Sequence, residues 1–275
     1  MIPATFDYVR AESVAEAVGL LAADEDAKLL AGGHSLVPLM KLRLAAPSQL
    51  VDIGKIAGLS YVRDAGDHIA IGALTRHRII EADPVIRAGA GLLAAAAAEV
   101  GDPQVRHRGT IGGSIAHGDP ASDLPAALLA LDASYVVTGP AGDRTISAAS
   151  FHIGFLQTAL HPAEVLTEIR VPTGAPRFAF RKFRARAADW AVVGVAAASG
   201  PAGVRIGLVN MGATPLRALQ AEAAVAAGLP AADAARLAAE GTEPREDLGA
   251  TASFRRHLAR VLVGQALEEL AGRPC

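Results

Sequence analysis

Two short glycine-rich segments constrain this chain of 275 residues more than any other feature. Glycine has no Cβ and tolerates positive φ, so a glycine pair lets the main chain approach a ligand closely. In both segments the glycines are followed by a hydroxyl side chain and by main-chain N–H groups that could face an anion. The segments read Ala31-Gly32-Gly33-His34-Ser35 and Gly109-Thr110-Ile111-Gly112-Gly113-Ser114. Either one alone is typical of a tight turn. Together they predict that both converge on one pyrophosphate-bearing cofactor.

The common fingerprints of other nucleotide sites and of hydrolases are missing. Neither glycine pair fits G-x-G-x-x-G and no G-x-x-x-x-G-K-[ST] occurs, which disfavours Rossmann and P-loop sites. No G-x-S-x-G sequence is present, so a serine hydrolase lacks its usual local signature. His117, Asp119 and Asp123 have a spacing that a metal site could use, but such spacing is common by chance and lacks an H-E-x-x-H partner. We expect no metal in this chain.

Charge, hydropathy and cysteine content exclude several classes of protein. A formal net charge of -2 gives no indication of nucleic acid or an anionic membrane as partner. No apolar run is long enough to span a bilayer, and the start of the chain lacks the pattern of a signal peptide. We therefore expect a cytoplasmic protein without membrane insertion. The one cysteine is Cys275, so this chain cannot form an intrachain disulfide or hold a cysteine-ligated iron–sulfur cluster.

The order of predicted elements mixes helices and strands throughout, which indicates an α+β fold. A capping-box pattern at Ser13 predicts a helix over 14–23. A strand over 28–31 and a helix over 35–44 place the first glycine pair on a strand-to-helix turn. The segment 172–176 is the best candidate linker. After it we expect strands over 178–183, 192–198 and 204–209, and helices over 216–227, 233–240 and 253–270.

Five further side chains are candidates for cofactor contacts, each with a structural alternative. Asp123 either accepts hydrogen bonds from ribose hydroxyls or caps the following helix, and the two roles are compatible. Arg106 and Arg108 either neutralise a pyrophosphate or are solvated loop charges. Lys182 either faces the cofactor or extends to solvent from a strand. Trp190, the single tryptophan, either lies against a flat ring or packs in the core.

Taken together, the motifs resemble those of one family. Ala31-Gly32-Gly33-His34-Ser35-Leu36 and Thr110-Ile111-Gly112-Gly113-Ser114 are similar to the two FAD motifs of the medium, flavoprotein subunit of the xanthine dehydrogenase family of molybdenum hydroxylases. The carbon monoxide dehydrogenase type is the nearest likeness. The resemblance runs over nearly the whole chain and includes Ile2-Pro3, Phe6-Asp7-Tyr8, Val51-Asp52-Ile53, Ile71-Gly72-Ala73, Gly118-Asp119-Pro120, Ser122-Asp123 and 164–172. The paired motifs are specific for the family and much less so for its substrates.

The resemblance implies a two-domain fold. Residues 1–174 would form an FAD-binding domain of the PCMH or vanillyl-alcohol-oxidase type, built from two α+β subdomains of about 1–55 and 56–174 with FAD between them. Residues 175–275 would form a smaller C-terminal flavoprotein domain with a three-stranded antiparallel sheet and helices.

The resemblance also implies which residues hold FAD, and it assigns no catalytic acid, base or metal ligand. The residues at matching positions for the pyrophosphate and ribityl parts are Leu29, Leu30, Ala31, Gly32, Gly33, His34, Ser35, Leu36, Thr110, Ile111, Gly112, Gly113 and Ser114. Asp123 would lie on the adenosine side, and Leu166 and Lys182 match positions that contact the cofactor. Trp190 replaces a tyrosine beside the flavin ring, which keeps the aromatic face and loses the phenol. Ser114 replaces an asparagine, and its hydroxyl can still donate one hydrogen bond.

The implied function is electron transfer by an oxidoreductase subunit. A large partner with a molybdenum cofactor would hydroxylate the substrate, and a small partner would carry two [2Fe–2S] clusters. This chain would take the electrons onto FAD and pass them to an external acceptor, within a heterotrimer or its dimer. A peripheral position at the inner membrane face would be reached through contacts of the partner subunits. Two alternatives stay open: a self-contained FAD-dependent oxidoreductase of the same fold, and an interaction subunit that has lost its cofactor.

Overall fold

The N-terminal unit is a parallel sheet with two helices. The computed structural model describes residues 2–175 and 177–272, so Cys275 and part of the candidate linker lie outside the described residues. Strands β1, β3 and β2 lie side by side in that order, all parallel. The elements are β1 (Asp7–Arg10), α1 (Val14–Ala23), β2 (Lys28–Leu30), α2 (Leu36–Lys41) and β3 (Gln49–Asp52). Ser13 caps α1 by accepting a hydrogen bond from the Glu16 N–H, which confirms the predicted helix start.

The second unit is an antiparallel sheet covered by helices, with the strand order β4-β5-β10-β6-β7. Its strands are β4 (Val62–Asp64), β5 (His68–Gly72), β6 (Ser134–Gly139), β7 (Gly142–Ser147) and β10 (Val165–Pro172), and a hairpin is formed by β8 (His152–Gly154) and β9 (Gln157–Thr158). Its helices are α3 (His77–Ala82), α4 (Pro84–Gly89), α5 (Gly91–Ala98), α6 (Pro103–Arg108), α7 (Ile111–His117), α8 (Asp123–Ala130) and α9 (Ala148–Phe151). Apolar residues of β5, α5, α8 and β6 form its core.

The C-terminal unit is a second antiparallel sheet with the order β11-β12-β13-β14. Its elements are β11 (Arg177–Phe183), β12 (Val193–Gly200), β13 (Gly203–Val209), β14 (Leu216–Arg217), α10 (Leu219–Ala226), α11 (Ala231–Arg236) and α12 (Ala252–Leu270). Strand β12 is buried on both faces. Val195 and Ala197 pack in the core of this unit, whereas Ala196 and Ala198 pack in the core of the second unit. This alternation follows from the two-residue period of a strand, and it joins the two units through one strand.

Small residues permit this close packing. A Cβ on Gly207 of β13 would lie 2.1 Å from the Ala126 carbonyl oxygen of α8, and a Cβ on Gly91 would lie 2.3 Å from the Phe178 ring. Both contacts are far below van der Waals distance. Gly207 faces main chain, so glycine is required there, whereas a side chain at Gly91 would displace the Phe178 ring. The second and C-terminal units therefore share a tightly packed interface.

The predicted α+β class and the antiparallel C-terminal sheet are confirmed, and three details differ. Strand β14 adds a short fourth strand, so the helix expected over 216–227 begins only at Leu219. Helix α2 ends at Lys41, because the chain turns at Arg43, which has φ 59. The second glycine segment forms the start of the helix α7, whereas such a segment alone is typical of a tight turn. Among the described residues, none of the helices is both long and apolar enough to cross a membrane.

Candidate cofactor-binding site

The first glycine segment presents unpaired main-chain donors. Gly32 and Gly33 lie between β2 and α2 as predicted, and Gly33 has φ 75, which favours glycine. Within the described ranges, the N–H groups of Gly32, Gly33, His34 and Ser35 donate no hydrogen bond to another protein group. Successive free N–H groups in a turn of this kind form a concave site for an anion. This segment therefore has the donors that the sequence predicts.

The second glycine segment uses its N–H groups inside the protein. Ile111 and Gly112 donate to the carbonyl oxygens of Thr75 and Ala73 at 3.0 and 2.8 Å, and Gly113 donates to the Thr110 hydroxyl at 3.2 Å. The Ser114 N–H donates to the Thr110 carbonyl at 3.0 Å. The expectation that these N–H groups face an anion is therefore wrong, because forming and packing α7 consumes them.

The two glycines of the second segment have different surroundings. Gly112 is buried, and a Cβ there would lie 2.6 Å from the Ala73 Cβ, so this glycine lets α7 pack against the neighbouring chain. Gly113 is exposed, and apart from the Thr110 hydroxyl, the nearest atom to a Cβ there would be Ala31 Cβ at 4.0 Å. Gly113 thus faces the first glycine segment across open space.

The two segments meet, as the sequence predicts. A Cβ on Gly32 would lie 2.5 Å from the Arg108 carbonyl oxygen and 3.0 Å from the Gly109 Cα. The Arg76 guanidinium also donates to the Arg108 carbonyl, and Arg76 pairs with Thr110 as an isolated β-bridge. Contact this close is open only to glycine at position 32. The juncture of the two segments is therefore fixed by main-chain contact.

A cleft of about 420 Å³ opens at this juncture, and we name it the basic cleft. Its lining residues are Leu30, Ala31, Gly32, Gly33, His34, Val37, Asp52, Gly54, Lys55, Arg76 and Arg108. The side chains of His34, Lys55, Arg76 and Arg108 are basic, and none of them has an ion pair among the described residues. A cleft with uncompensated positive charge and free N–H donors suits a polyanion.

The electrostatics of the basic cleft also favour the binding of an anion. Burial and the nearby charges of Arg108 and Arg78 lower the pKa of Arg76 below its usual value, which is the sign of positive charges held close together. Asp52, the one acidic residue of the lining, accepts hydrogen bonds from the Tyr8 hydroxyl at 2.6 Å and the Gly54 N–H at 2.7 Å. Asp52 also attracts Arg76, but burial and the other two arginines outweigh this attraction, so the cleft keeps an excess of positive charge. The donors and charges fit the pyrophosphate of FAD.

Of the two arginines before the second segment, only Arg108 lines the cleft. Arg106 forms an ion pair with Glu81 at 2.9 Å and donates to the Val100 carbonyl. Sequence reasoning did not assign Lys55 or Arg76 to the site. Lys55 could have been found, because it follows β3, whose carboxyl end lies beside that of β2 in the parallel sheet. Arg76 carries no comparable signal, since α3 and the end of α6 approach each other only in the tertiary fold.

Asp123 and Lys182 pair with each other away from the basic cleft. The Lys182 Nζ lies 2.7 Å from Asp123 Oδ2 and also donates to the Glu99 carbonyl at 2.9 Å. Both side chains are buried, at 6% and 2% exposure, so the solvent-directed alternative for Lys182 is wrong. Asp123 is the first residue of α8 rather than its N-cap, which is Ser122. Because burial outweighs the attraction of Lys182, the pKa of Asp123 is raised to about 6.

One atom of this pair has no partner. Asp123 Oδ1 is buried and accepts no hydrogen bond from the described residues. A buried carboxylate oxygen without a donor is costly and rare in native proteins. The surrounding protein encloses this oxygen, so the structure shows no open path from it to a ligand, and the assignment of Asp123 to a ribose stays a prediction.

Trp190 and Leu166 have opposite environments. Trp190 is 59% exposed, so the core alternative is wrong, and it lines a second cleft of about 560 Å³ that we name the aromatic cleft. The lining comprises Asp119, Pro120, Ala121, Phe155, Ala185, Asp189, Trp190, Ala191, Val192, Asn210, 245–249 and Arg255. Leu166 is 5% exposed and packs in the core on β10. Its cofactor contact stays a prediction.

The predicted site residues therefore divide into groups. The structure brings Leu30 to His34 together in the basic cleft and places Thr110 to Ser114 beside it on α7. Leu29, Ser35 and Leu36 flank the first turn without lining the cleft. Helix α7 connects the basic cleft at its start with the aromatic cleft at its end, where Asp119 follows it. Within the described ranges, no cluster of His, Cys, Asp and Glu side chains could hold a metal ion.

Comparison with known proteins identifies the family of this chain. A family described as the FAD binding domain in molybdopterin dehydrogenase matches residues 4–174, and the CO dehydrogenase flavoprotein C-terminal domain matches residues 178–270. The carbon monoxide dehydrogenase medium chain of Hydrogenophaga pseudoflava is 42% identical over 97% of each chain. The 6-hydroxypseudooxynicotine dehydrogenase complex subunit alpha of Paenarthrobacter nicotinovorans is 37% identical, over 99% of this chain and 97% of that one.

A solved structure extends the likeness to three dimensions. Carbon monoxide dehydrogenase from Hydrogenophaga pseudoflava, in a form that lacks the Mo-pyranopterin moiety of its cofactor, contains a chain with a TM-score of 0.95 and 43% identity. The match covers the whole of both chains. The resemblance read from the two glycine segments is thus confirmed by sequence and by fold. This chain belongs to the family of medium chains that carry the FAD-binding domain of molybdopterin dehydrogenases.

Proposed function

We propose that this chain binds one FAD and transfers electrons as the medium subunit of a molybdenum hydroxylase. It would receive electrons from the [2Fe–2S] clusters of a small partner, after a large partner with the molybdenum cofactor has oxidised the substrate. It would then deliver them to an external acceptor. FAD supplies the redox chemistry when bound, and the protein supplies its position and electrostatic surroundings. Family membership and the single cysteine support this division of cofactors among subunits.

The observation that carries the proposal is the basic cleft at the meeting point of the two glycine segments. Free N–H groups at 32–35 and the charges of Lys55, Arg76 and Arg108 would bind the pyrophosphate. Gly113 would keep the opposite wall clear of a side chain. Leu29, Ser35, Leu36, Thr110, Ile111, Gly112 and Ser114 would support these two walls.

Helix α7 supports a path for the rest of the cofactor. It is seven residues long, or about 10 Å at 1.5 Å per residue, and it connects the basic cleft with the aromatic cleft. The exposed Trp190 ring would lie beside the flavin ring, and an aromatic face stacks favourably on such a ring. The contacts of FAD with Asp123 on the adenosine side, and with Lys182 and Leu166, are part of this proposal. We place the domain boundary between 174 and 175, where one sheet ends and the next begins, and the subdomain boundary near 55.

We further propose a heterotrimer or its dimer in the cytoplasm, with any position at the inner membrane face held through the partners. The first experiment is a visible absorption spectrum of the purified chain, with the released cofactor identified by chromatography. A flavin spectrum and stoichiometric FAD would support the proposal. A colourless chain that refuses added FAD would contradict it, and turnover of a substrate by the chain alone would instead favour a self-contained oxidoreductase.

The charge of Arg108 gives a specific test. We expect Arg108→Gln to weaken FAD binding by about tenfold, because a charge-assisted contact to phosphate is worth about 1.5 kcal/mol. FAD titration followed by flavin fluorescence, at low and high salt, measures the affinity. Since salt screens such contacts, the variant should also show a weaker salt dependence.

Arg106→Gln is the matched control, because Arg106 is on the same helix and is paired with Glu81 outside the cleft. It should leave FAD affinity and its salt dependence near the wild-type values. Equal effects of the two substitutions would show that the basic cleft does not hold the pyrophosphate.

A further inference from the structure

The main chain that follows Trp190 is held by two side chains of the C-terminal unit. The Asn210 side-chain amide donates to the Ala191 carbonyl at 2.9 Å and to the Val192 carbonyl at 3.4 Å. The Arg255 guanidinium donates to the same Val192 carbonyl and to Asp247 Oδ2, the latter at 2.6 Å. None of these residues belongs to the motifs that carry the family resemblance.

Asn210 has a backbone conformation that links two parts of the aromatic cleft. Its φ is 60, a left-handed value that disfavours most residues and that asparagine tolerates better than most. In this conformation its N–H donates to the Pro120 carbonyl at 2.8 Å, in the loop that follows α7. One residue is therefore bonded both to the segment after Trp190 and to the loop that ends the second glycine segment.

The support lies below the surface, whereas the ring it carries is exposed. Ala191 is 2% exposed and Arg255 is 2% exposed, against 59% for Trp190. The bond from Arg255 to the Val192 carbonyl is buried, and those from Asn210 are partly buried. Hydrogen bonds shielded from solvent are stronger than solvated ones and fix the geometry of the groups they join. The Trp190 ring therefore projects from an anchored main chain rather than from a free loop.

We propose that Asn210 and Arg255 are positioning residues for Trp190. They fix the segment that carries the ring to the loop after α7, and so set the distance between the aromatic face and the pyrophosphate site at the other end of that helix. This inference rests on the proposed function, and it gives the C-terminal unit a defined task, which is to hold one wall of the flavin site.

The test uses Trp190 as its own reporter, because it is the single tryptophan of the chain. In Asn210→Gly the main-chain N–H to Pro120 and the left-handed conformation are retained, and only the side-chain donor is lost. Arg43→Gly is the matched control, since Arg43 also has a positive φ, of 59, and lies away from both clefts. Arg255→Lys removes the fork that bonds two acceptors at once and keeps the charge.

The readouts are the fluorescence anisotropy of Trp190 without FAD, its quenching by bound FAD, and the flavin reduction potential. Loss of one ordinary hydrogen bond shifts a two-position equilibrium roughly fivefold. We therefore expect Asn210→Gly and Arg255→Lys to lower the anisotropy, weaken the quenching and change the potential. Any loss of FAD affinity should not exceed that fivefold, because the basic cleft is unaltered. Arg43→Gly should match the wild type in anisotropy, quenching, potential and FAD affinity.

Each result has a separate meaning. Unchanged anisotropy, quenching and potential in Asn210→Gly would overturn the positioning role. A wild-type chain that binds no FAD would contradict the proposed function, and the anisotropy of the FAD-free variants would still decide whether these side chains anchor Trp190. Lower anisotropy together with unchanged quenching would show that they anchor the ring but do not position it for the flavin, which also overturns the proposal.

Discussion

Gly32→Ala is expected to reduce FAD affinity by about 100-fold, the largest effect on the cofactor of any single methyl group in this chain. The added Cβ would lie 2.5 Å from the Arg108 carbonyl oxygen and 3.0 Å from the Gly109 Cα, so main chain must move against main chain. Overpacking of this kind costs about 1–3 kcal/mol, and the upper figure corresponds to roughly a 100-fold change in binding. The shift would separate the free N–H groups at 32–35 from Arg108.

The measurement is FAD titration at a temperature where circular dichroism shows both proteins to be folded. Gly19→Ala is the control, because a Cβ there would meet no atom within 4 Å. A bulky side chain at Gly113 should abolish FAD retention while the chain stays folded, because it would enter the open space towards Ala31. Wild-type affinity in Gly32→Ala would show that the juncture of the two segments does not shape the FAD site.

The sequence indicated the turn at Gly32-Gly33 because local signals defined it completely. An apolar strand, a glycine pair and a helix with an early proline follow one another within 28–41, and no distant contact is needed to interpret them. The convergence of the two segments could also be predicted, since two close-approach sites in one chain are most simply explained by one ligand. The overall domain architecture was predicted from the family resemblance and not from these local signals.

The hydrogen-bond partners of the N–H groups in the second glycine segment could not be predicted from local sequence. The N–H groups of Ile111 and Gly112 look available, and they are bonded to the carbonyl oxygens of Thr75 and Ala73, which lie more than 30 positions earlier in the chain. Arg76 reaches the cleft for the same reason. Such partners depend on how the start of α7 packs against the segment between β5 and α3, and packing of distant elements is not encoded in any short pattern.

The pairing of Asp123 with Lys182 is a further case. Both residues were candidates for the cofactor, and no local feature shows that the start of α8 lies against β11. Their separation of 59 positions is closed by the interface between the second and C-terminal units. The sequence thus indicated both residues as candidates but did not show that they form a buried ion pair. The second large prediction concerns this ion pair.

Lys182→Met is expected to destabilise the folded chain by about 3–5 kcal/mol, because it leaves the buried Asp123 carboxylate without its partner. Arg181→Met is the matched control on the same strand. The ion pair of Arg181 with Glu269 is 36% and 42% exposed, and exposed pairs contribute about 1 kcal/mol or less. Urea denaturation gives both free energies of unfolding. The double variant Lys182→Met/Asp123→Leu should regain part of the loss, since it removes the uncompensated charge.

The pH dependence distinguishes a buried charge from lost packing. The pKa of Asp123 is raised in the folded chain to about 6, above its unfolded value of about 3.9, so the folded state binds the proton more tightly. This group therefore contributes stability below about pH 4 that is lost as the pH rises to about 6. Without Lys182 the pKa rises further, so the loss in Lys182→Met should continue to higher pH. The prediction fails if Lys182→Met lowers the free energy of unfolding by the same amount at every pH, or by no more than Arg181→Met does. Either result would show that Lys182 does not stabilise a buried charge on Asp123.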